Sequence, residues 1–189
     1  MKVWYALLAV AIVALGGIAA YCATRAPDGP ALASSAKVDL ARYMGAWYVV
    51  ANIPYFAERG KVATRDVYVL DADGNVATTF VYRNSFSGPE KTLDSLGVVQ
   101  PGRDNTYWIV RFLWFIRADY LILDVAPDYS WALVGQPGRK LGWVLARDPA
   151  MDAGLYQQLL DKLAGFGYDK PRFARVAQFR EQVGQPGFQ

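Results

Sequence analysis

The sequence predicts an all-β protein, an eight-stranded antiparallel up-and-down β-barrel that is preceded by an N-terminal hydrophobic helix and followed by one C-terminal α-helix. Two observations predict it. Short runs rich in β-branched and aromatic residues alternate with turn-forming residues from Gly45 to Arg147. Beyond the N-terminal segment, helical spacing of leucines occurs after the last of these runs. Eight strands are enough to close a barrel whose interior holds one small ligand.

Residues 1–24 are an apolar segment that we expect to direct the chain to a membrane. An uncharged, mostly apolar run extends from Val3 to Ala23, and about 20 such residues span a bilayer core. The segment is therefore an uncleaved anchor or a signal peptide. Cys22 is the candidate for lipidation, because a cysteine just after an apolar run is typical of bacterial lipoprotein signals. Tyr21 stands where a small residue is expected, so all the alternatives stay open.

The barrel domain is predicted to span residues 37–180, after a linker at 25–36 that contains Pro, Gly and small residues, and before a tail at 181–189. Its first strand extends from Tyr48 to Ile53 and ends there because Pro54 cannot donate a backbone hydrogen bond. The remaining predicted strands are Val62–Leu70, Val76–Arg83, Lys91–Val99, Thr106–Ile116, Tyr120–Val125, Trp131–Gly135 and Gly142–Arg147.

Turns and a helix complete the predicted domain. Residues 117–119, Arg-Ala-Asp, are expected to form the tight turn between the fifth and sixth strands. Leucines at helical spacing between Leu155 and Leu163 predict one amphipathic helix, which ends at Gly165. Residues 171–177 form either a short final strand or an extended tail.

Composition argues against several kinds of site. The chain has no His, the commonest general base and metal ligand, and its single Cys excludes an intramolecular disulfide. The formal net charge is +3 and the basic residues are dispersed, whereas a nucleic-acid interface needs a basic stripe. No nucleophile–base pair is recognisable. We therefore expect no catalytic residues, no metal site, no cofactor and no nucleic-acid partner.

The first strand carries a longer pattern. From Asp39 to Pro54 the chain reads Asp-x-x-Arg-Tyr-x-Gly-x-Trp-Tyr-x-x-Ala-x-Ile-Pro, and a Phe, a Glu, an Arg and a Gly follow shortly. This string resembles the opening of the lipocalin family, and it looks most like the bacterial lipocalins, a group of outer-membrane lipoproteins, and their apolipoprotein-D-like relatives. The resemblance covers Asp39 to about Phe179. It implies a calyx-shaped barrel with the C-terminal helix packed on its outside.

Two later stretches are similar to the other lipocalin motifs. Leu-Asp-Val-Ala-Pro-Asp-Tyr, which includes Asp124 and Tyr129, is similar to the second motif, and the strand that ends in Arg147 is similar to the third. In lipocalins this Arg lies across the Trp of the first motif and closes one end of the barrel. The resemblance therefore implies that Arg147 stacks on Trp47, close to Gly45, in a cation–π contact of about 1–2 kcal/mol when desolvated.

Alternate residues of each strand point into a barrel. On the fifth strand the face from Trp108 to Ile116 is wholly apolar and is expected to line the lumen. The opposite face is apolar apart from Arg111, which suggests a homodimer contact, a bilayer contact or cover by the helix. Asp66 shares the inner face of the second strand with Tyr68, where its carboxyl would need a partner or have a raised pKa. The favoured alternative is a position near a barrel rim, in water. The expected ligand-binding residues are Tyr68, Phe80, Tyr82, Trp108, Val110, Phe112, Tyr120 and Ile122.

Such a lumen would be apolar and aromatic with few polar groups, which suits an acyl chain. The resemblance then implies a protein that binds and stores or transports a lipid, a fatty acid or a lysophospholipid, in the bacterial cell envelope. It would face the periplasm from the outer membrane if Cys22 is lipidated, and from the inner membrane if the segment is uncleaved. Two alternatives stay open: a barrel with a filled interior that acts as an envelope interaction module, and, less favoured, an enzyme on the same barrel.

Overall fold

The computed structural model describes residues 32–112 and 116–189. Its strands β1 to β8 close into an antiparallel up-and-down barrel, because β1 pairs with both β2 and β8. The predicted fold class is confirmed for the described residues. The strands are β1 Gly45–Asn52, β2 Val62–Leu70, β3 Val76–Arg83, β4 Lys91–Val99, β5 Tyr107–Phe112, β6 Ile116–Val125, β7 Trp131–Gly135 and β8 Gly142–Ala146.

In the described residues, two α-helices and a short ninth strand accompany the barrel. Helix α1, Leu40–Tyr43, leads into β1, and helix α2, Ala153–Gly165, follows β8. Strand β9, Ala174–Arg175, pairs with the end of β1, so residues 171–177 do contain a short final strand. Short 3-10 turns lie at Lys170–Arg172 and Arg180–Gln182.

Helix α2 packs on the outside of the barrel. Its start is fixed by Asp152, whose carboxylate accepts hydrogen bonds from the backbone N–H groups of Gly154 and Leu155. Of the leucines that the spacing predicts, Leu155 is partly buried and the others are buried, and they pack in one cluster with the outward-facing side chains of β6, β7 and β8. The cluster includes Leu159, Leu163, Leu121, Leu123, Leu133 and Val144. The sheet therefore buries apolar side chains on both faces where α2 covers it.

One turn was predicted wrongly. Arg117, Ala118 and Asp119 lie inside β6 and pair with Arg111, Val110 and Ile109 of β5. Phe112, the last residue of β5, pairs with Ile116, the first residue of β6. The fifth strand is consequently shorter than predicted and the sixth is longer. The sequence misleads here because the residues after Phe112 are apolar and aromatic, like a strand, whereas Arg-Ala-Asp resembles a turn.

The predicted membrane segment, residues 1–24, lies outside the described residues, as does the candidate lipidation site Cys22. None of the helices in the two described ranges is long and apolar enough to cross a bilayer. At the other end of the chain, Phe188 forms a bridge with Arg175, and the side-chain amide of Gln189 donates to Asn52. The division into membrane segment, linker, barrel domain and tail stays a prediction.

Candidate functional site

One end of the barrel is closed by the side chain of Arg147. Its guanidinium carbon lies 3.8 Å from the ring centroid of Trp47, the arrangement that the resemblance implies. The guanidinium also donates to the backbone carbonyls of Ala46, at 2.7 Å, and Met44, at 2.8 Å. A Cβ atom on Gly45, which has a φ of +93°, would lie 3.3 Å from Nη1 of Arg147. The glycine therefore provides both the left-handed backbone and the space for this contact.

The residues of the second motif hold the same end together. The hydroxyl of Tyr129 accepts a 2.8 Å hydrogen bond from the backbone N–H of Asp39, and the guanidinium of Arg42 lies 4.2 Å from the Tyr129 ring. Asp124 accepts from the ammonium of Lys162 on helix α2, at 2.8 Å. Both contacts join the barrel to a neighbouring segment, so these two residues have structural roles in this arrangement.

The lower lumen, next to this closed end, is filled by side chains. Three predicted ligand-binding residues, Tyr68, Trp108 and Ile122, are almost wholly buried there. Tyr43 of helix α1 joins them from below, and its ring lies 5.7 Å from that of Tyr68. A Cβ atom on Gly97 would lie 3.1 Å from the indole of Trp108, so the indole occupies the space above this glycine. These residues form a solid floor and leave the upper half of the barrel as the candidate binding space.

A chain of hydrogen bonds crosses this floor. The hydroxyl of Tyr120 lies 3.0 Å from that of Tyr43 and 2.8 Å from that of Tyr68, which in turn donates to Asp66 at 3.2 Å. The ring of Tyr120 stacks on Trp108, with centroids 4.8 Å apart. Burial raises the pKa of the tyrosines Tyr43, Tyr68 and Tyr120, so their hydroxyls stay protonated and donate. The floor therefore contains a buried network of polar groups.

Asp66 lies inside the barrel, and its predicted position in water near a rim is wrong. Its partners across the sheet are Trp47 of β1 and Phe80 of β3, which both belong to the interior cluster. Burial, with a smaller contribution from the charge of Glu58, raises the pKa of Asp66 to about 7, although the hydrogen bond from Tyr68 opposes the shift. A lumen carboxyl thus titrates near neutral pH.

A second carboxyl, that of Glu58, comes from the loop between β1 and β2. It accepts hydrogen bonds from the indole N–H of Trp143, at 3.0 Å, from Asn52 and from Tyr55. Burial raises the pKa of Glu58, and these three donors partly offset the shift. Glu58 was not among the residues predicted for the interior, because loop residues carry no strand alternation to indicate where they point.

The upper lumen keeps free surface on its walls. Phe80, Tyr82, Phe112 and Tyr120 lie on inner strand faces, yet each is only half-buried, whereas Val110 is 8% exposed. The rings of Phe80 and Tyr82 stack on each other along β3, with centroids 5.4 Å apart. The eight predicted ligand-binding residues are thus brought together on one inner surface but divide between a buried floor and a more open upper wall.

Positive charge lies at the open mouth of the barrel, beside Tyr82. The ammonium of Lys61 lies 5.1 Å from the Tyr82 ring centroid and donates to Asn84 at 2.6 Å. Lys91 pairs with Tyr82 across β3 and β4, which places it on the same inner face, and it is exposed. The nearby carboxylate of Glu90 is bound to Arg65 and lies within 3.5 Å of Arg83.

The outer face of β5 is partly covered. Tyr107 packs against the cluster under helix α2 and donates a hydrogen bond to Asp119, whereas Arg111 is exposed beside Arg117. The homodimer contact stays a prediction. Across residues 32–112 and 116–189, no group of three or more His, Cys, Asp or Glu side chains is arranged to hold a metal ion.

Comparison with known sequences places this geometry in context. The sequence model of the family described as the lipocalin-like domain matches residues 38–178 of this chain. The chain is 32% identical over 151 residues to temperature-induced lipocalin-1 of Arabidopsis thaliana, an alignment that covers 75% of this chain and 80% of the relative. It is 26% identical over 149 residues to the outer membrane lipoprotein Blc of Escherichia coli K12, with 74% of this chain and 79% of the relative covered.

Solved structures agree in overall shape. Insecticyanin from the tobacco hornworm Manduca sexta superposes with a TM-score of 0.63 at 18% identity, over 85% of this chain and 89% of that one. Apocrustacyanin C2 superposes with a TM-score of 0.59 at 15% identity, over 83% of this chain and 95% of that one. At these identities the superpositions establish the fold alone.

Proposed function

This chain belongs to the lipocalin family, and we propose that its barrel binds a single-chain lipid of the fatty acid or lysophospholipid class and stores or transports it in the cell envelope. Members of the family are in general binding and transport proteins rather than enzymes. The proposed ligand occupies the upper lumen, between the floor at Tyr120 and the mouth at Tyr82. The walls at Phe80 and Phe112 supply its apolar contacts.

One observation carries the proposal. Phe80, Tyr82 and Phe112, on the inner faces of the upper strands, retain accessible surface, although Ile116 opposite Phe112 is buried. The side chains of the floor have almost none, whereas Leu93, which pairs with Phe80, is 46% exposed. An interior packed to its full height would bury all of them to the same extent. The contrast favours a cavity over the alternative of a completely filled barrel, which would act only through its surface.

The energy of binding would come from partitioning. Tyr82 is four positions beyond Thr78, which lies near the floor, so the path along β3 is roughly 13 Å and, with the usual tilt of barrel strands, the upper lumen is roughly 10 Å deep. Each methylene that leaves water contributes about 0.8 kcal/mol, and eight of them contribute about 6 kcal/mol, between the values for millimolar and micromolar affinity. The stacked rings of Phe80 and Tyr82 narrow this space, which favours one chain over two.

The envelope location is supported by the relatives and by the sequence. Curated relatives from Escherichia coli and Vibrio cholerae carry the name outer membrane lipoprotein. The apolar run from Val3 to Ala23 and the adjacent Cys22 are consistent with a tether to a membrane. In this proposal the tether keeps the barrel at the periplasmic surface, where lipid exchange is local.

The test is a binding titration of the full chain, which is kept in solution by an amphipathic polymer. Palmitate or a lysophospholipid is added, and intrinsic tryptophan fluorescence monitors binding. Saturable one-to-one binding is expected. The matched control is Thr78→Phe, which adds a ring on the inner face of β3 and should abolish the saturable signal without removing lipid that adsorbs to the N-terminal segment. Equal signals from the two proteins would reject the lumen as the site, and no saturation at all would favour an interaction module.

A further inference from the structure

We propose that the mouth end of the barrel docks on the anionic surface of a phospholipid bilayer, with the closed end directed away from it. This inference concerns the outside of the barrel and goes beyond the proposed lipid binding, because it does not depend on what the lumen holds. Three features of the described residues carry it: the opposite charges of the two ends, a pair of cations on the rim of the mouth, and an exposed aromatic ring in a mouth connection.

The two ends of the barrel differ in charge. Because the strands run up and down, alternate connections lie at the same end. The described connections at the mouth are residues 53–61, 84–90 and 136–141, and those at the closed end are residues 71–75, 100–106 and 126–130. The mouth connections contain four basic and two acidic residues, whereas those of the closed end contain one basic and four acidic residues. This distribution turns the mouth toward a negatively charged surface.

The two acidic residues of the mouth connections do not offset this charge at the surface. Glu58 accepts from the indole N–H of Trp143, which packs against the interior cluster. Glu90 accepts hydrogen bonds from Arg65 and lies 3.5 Å from the guanidinium of Arg83, so two arginines share one carboxylate. One positive charge of this group therefore remains uncompensated.

The strands beside the mouth carry two like charges in direct opposition. Arg111 pairs with Arg117 across β5 and β6, one residue from the end of each strand, and both are exposed. Like charges at opposite positions destabilise a strand pair. Across residues 32–112 and 116–189, neither guanidinium has a carboxylate at ion-pair distance. Lipid phosphates would supply the missing counter-charge, because a guanidinium binds a phosphate through two parallel hydrogen bonds.

An apolar ring accompanies these charges. Phe56, in the connection between β1 and β2, is 51% exposed, and it is the only aromatic residue among the large exposed apolar side chains of the described residues. Arg59 follows in the same connection and is exposed. Basic side chains beside exposed aromatic rings are typical of segments that bind at the boundary between headgroups and acyl chains. The docked barrel would therefore open toward the bilayer.

The orientation is tested with the full chain reconstituted in vesicles of phosphatidylcholine, alone or mixed with phosphatidylglycerol. One fluorophore is attached at Ser87→Cys, in a mouth connection, or at Ala72→Cys, in a closed-end connection; both positions are exposed, and Cys22→Ser leaves the label one site. A lipid with a spin-labelled headgroup quenches a fluorophore that lies near the surface.

The proposal requires stronger quenching at position 87 than at position 72 on anionic vesicles, and loss of this difference on neutral vesicles or in concentrated salt. Equal quenching at the two positions, stronger quenching at position 72, or the same difference on neutral vesicles would overturn it. Lipid in the lumen does not enter this measurement, so such a result would leave the proposed lipid binding intact.

The role of the rim is tested with the double variant Arg111→Glu and Arg117→Glu. The reversal keeps two like charges opposite each other, so the strand pair is not further destabilised. Each cation near an anionic surface contributes about a fivefold factor, so we expect the preference for the docked orientation to fall by more than about tenfold. The matched control, Lys37→Glu with Arg103→Glu, makes the same charge change at the closed end, where both residues are exposed. An equal loss in the control, or an unchanged preference in the rim variant, would overturn the proposal.

Discussion

The guanidinium of Arg147 lies 3.8 Å from the centre of the Trp47 ring while it donates to the backbone carbonyls of Ala46, Arg42 and Met44. One side chain therefore joins the end of β8 to the segment that precedes β1. Burial lowers the pKa of Arg147, yet the group stays charged because its ordinary value is so high. The contact covers the closed end of the barrel and also links β8, the last strand of the barrel, to β1, the first.

Replacement of Arg147 by lysine tests this link. An ammonium keeps the charge but cannot reach several carbonyls in one plane while it stacks on Trp47, so we expect a loss of about 2–3 kcal/mol in unfolding free energy. Urea denaturation provides the measurement. Arg117→Lys, on the exposed outer face of β6, is the control and should change stability by less than about 0.5 kcal/mol. Equal midpoints for the two variants would contradict this account of Arg147.

The glycine at position 142 lets aromatic rings lie directly on β8. A Cβ atom there would lie 2.9 Å from both Phe173 and Tyr168, and Tyr168 is fixed by hydrogen bonds to Gln136 and Leu141. We expect Gly142→Ala to cost about 2–3 kcal/mol in urea denaturation, because these rings have no room to move.

Gly165 at the end of helix α2 offers the matched control. A Cβ atom there meets no atom within 4 Å. Gly165→Ala should therefore stabilise the chain by about 0.5–1 kcal/mol, since alanine suits a helix better than glycine. The same chemical change is thus expected to have opposite signs at positions 142 and 165. Destabilisation of similar size at both would show that steric crowding against Phe173 is not the cause.

Asp66 should make stability depend on pH. Its pKa is about 7 in the folded chain, against an ordinary value of 3.8. The folded state therefore binds more protons than the unfolded state between these values, and stability falls as pH rises from about 4 to about 7 and then levels off. The full shift corresponds to at most about 4 kcal/mol, and we expect about 1–3 kcal/mol because the side chain is only half-buried.

Asp66→Asn isolates this contribution, because the amide has nearly the same shape as the carboxyl but does not ionise. In urea denaturation, we expect the unfolding free energy of the variant relative to the wild type to be higher at pH 8 than at pH 4. Glu58 also has a raised pKa, but it is present in both proteins, so its contribution to the pH dependence of stability cancels in the comparison. A difference between variant and wild type that is the same at both pH values would refute the assignment of the titration to Asp66.

Phe80 and Tyr82 stack on each other on the inner face of β3, with ring centroids 5.4 Å apart. We expect Phe80→Ala to open the upper lumen and to let a two-chain phospholipid bind, while the wild type prefers single chains. Titration of both proteins with the two kinds of lipid measures this selectivity. Val69→Ala is the control, because Val69 is 58% exposed and follows the inward-facing Tyr68, which places it on the outer face of β2. A wild-type protein that already binds two-chain lipids equally well would show that Phe80 does not limit the space.

Much of the fold follows from patterns that the sequence displays openly. Strand alternation, turn residues and the first-strand motif predict eight strands and their order, and the leucine spacing predicts α2. The error at Arg117 to Asp119 has a physical cause. Arg117 and Asp119 lie on the outer face of β6 and Ala118 on its inner face, and two charged residues around a small one resemble a turn. Pairing of Phe112 with Ile116 depends on contacts between strands, which local pattern does not report.

The site was predictable only in part. Alternation places Phe80, Tyr120 and the other aromatic residues on the inner surface, but it does not indicate which of them are packed into a floor. That depends on how the rings of Tyr68 and Trp108 meet across the barrel, 5.6 Å apart. Alternation also places Asp66 on the inner face, but the hydrogen bond that Glu58 accepts from Trp143 joins residues that are 85 positions apart, so the contribution of Glu58 could not be read from sequence.

Native mass spectrometry of the full chain, in wild-type form and as Thr78→Phe, tests the central claim most directly. Both proteins are released from detergent in the gas phase after incubation with palmitate and with a lysophospholipid. The account predicts one bound lipid on the wild type, co-purified or added, and none on the variant with the filled lumen. A wild type that carries no lipid, or a variant that carries as much as the wild type, would contradict the proposal that the upper lumen is the lipid site.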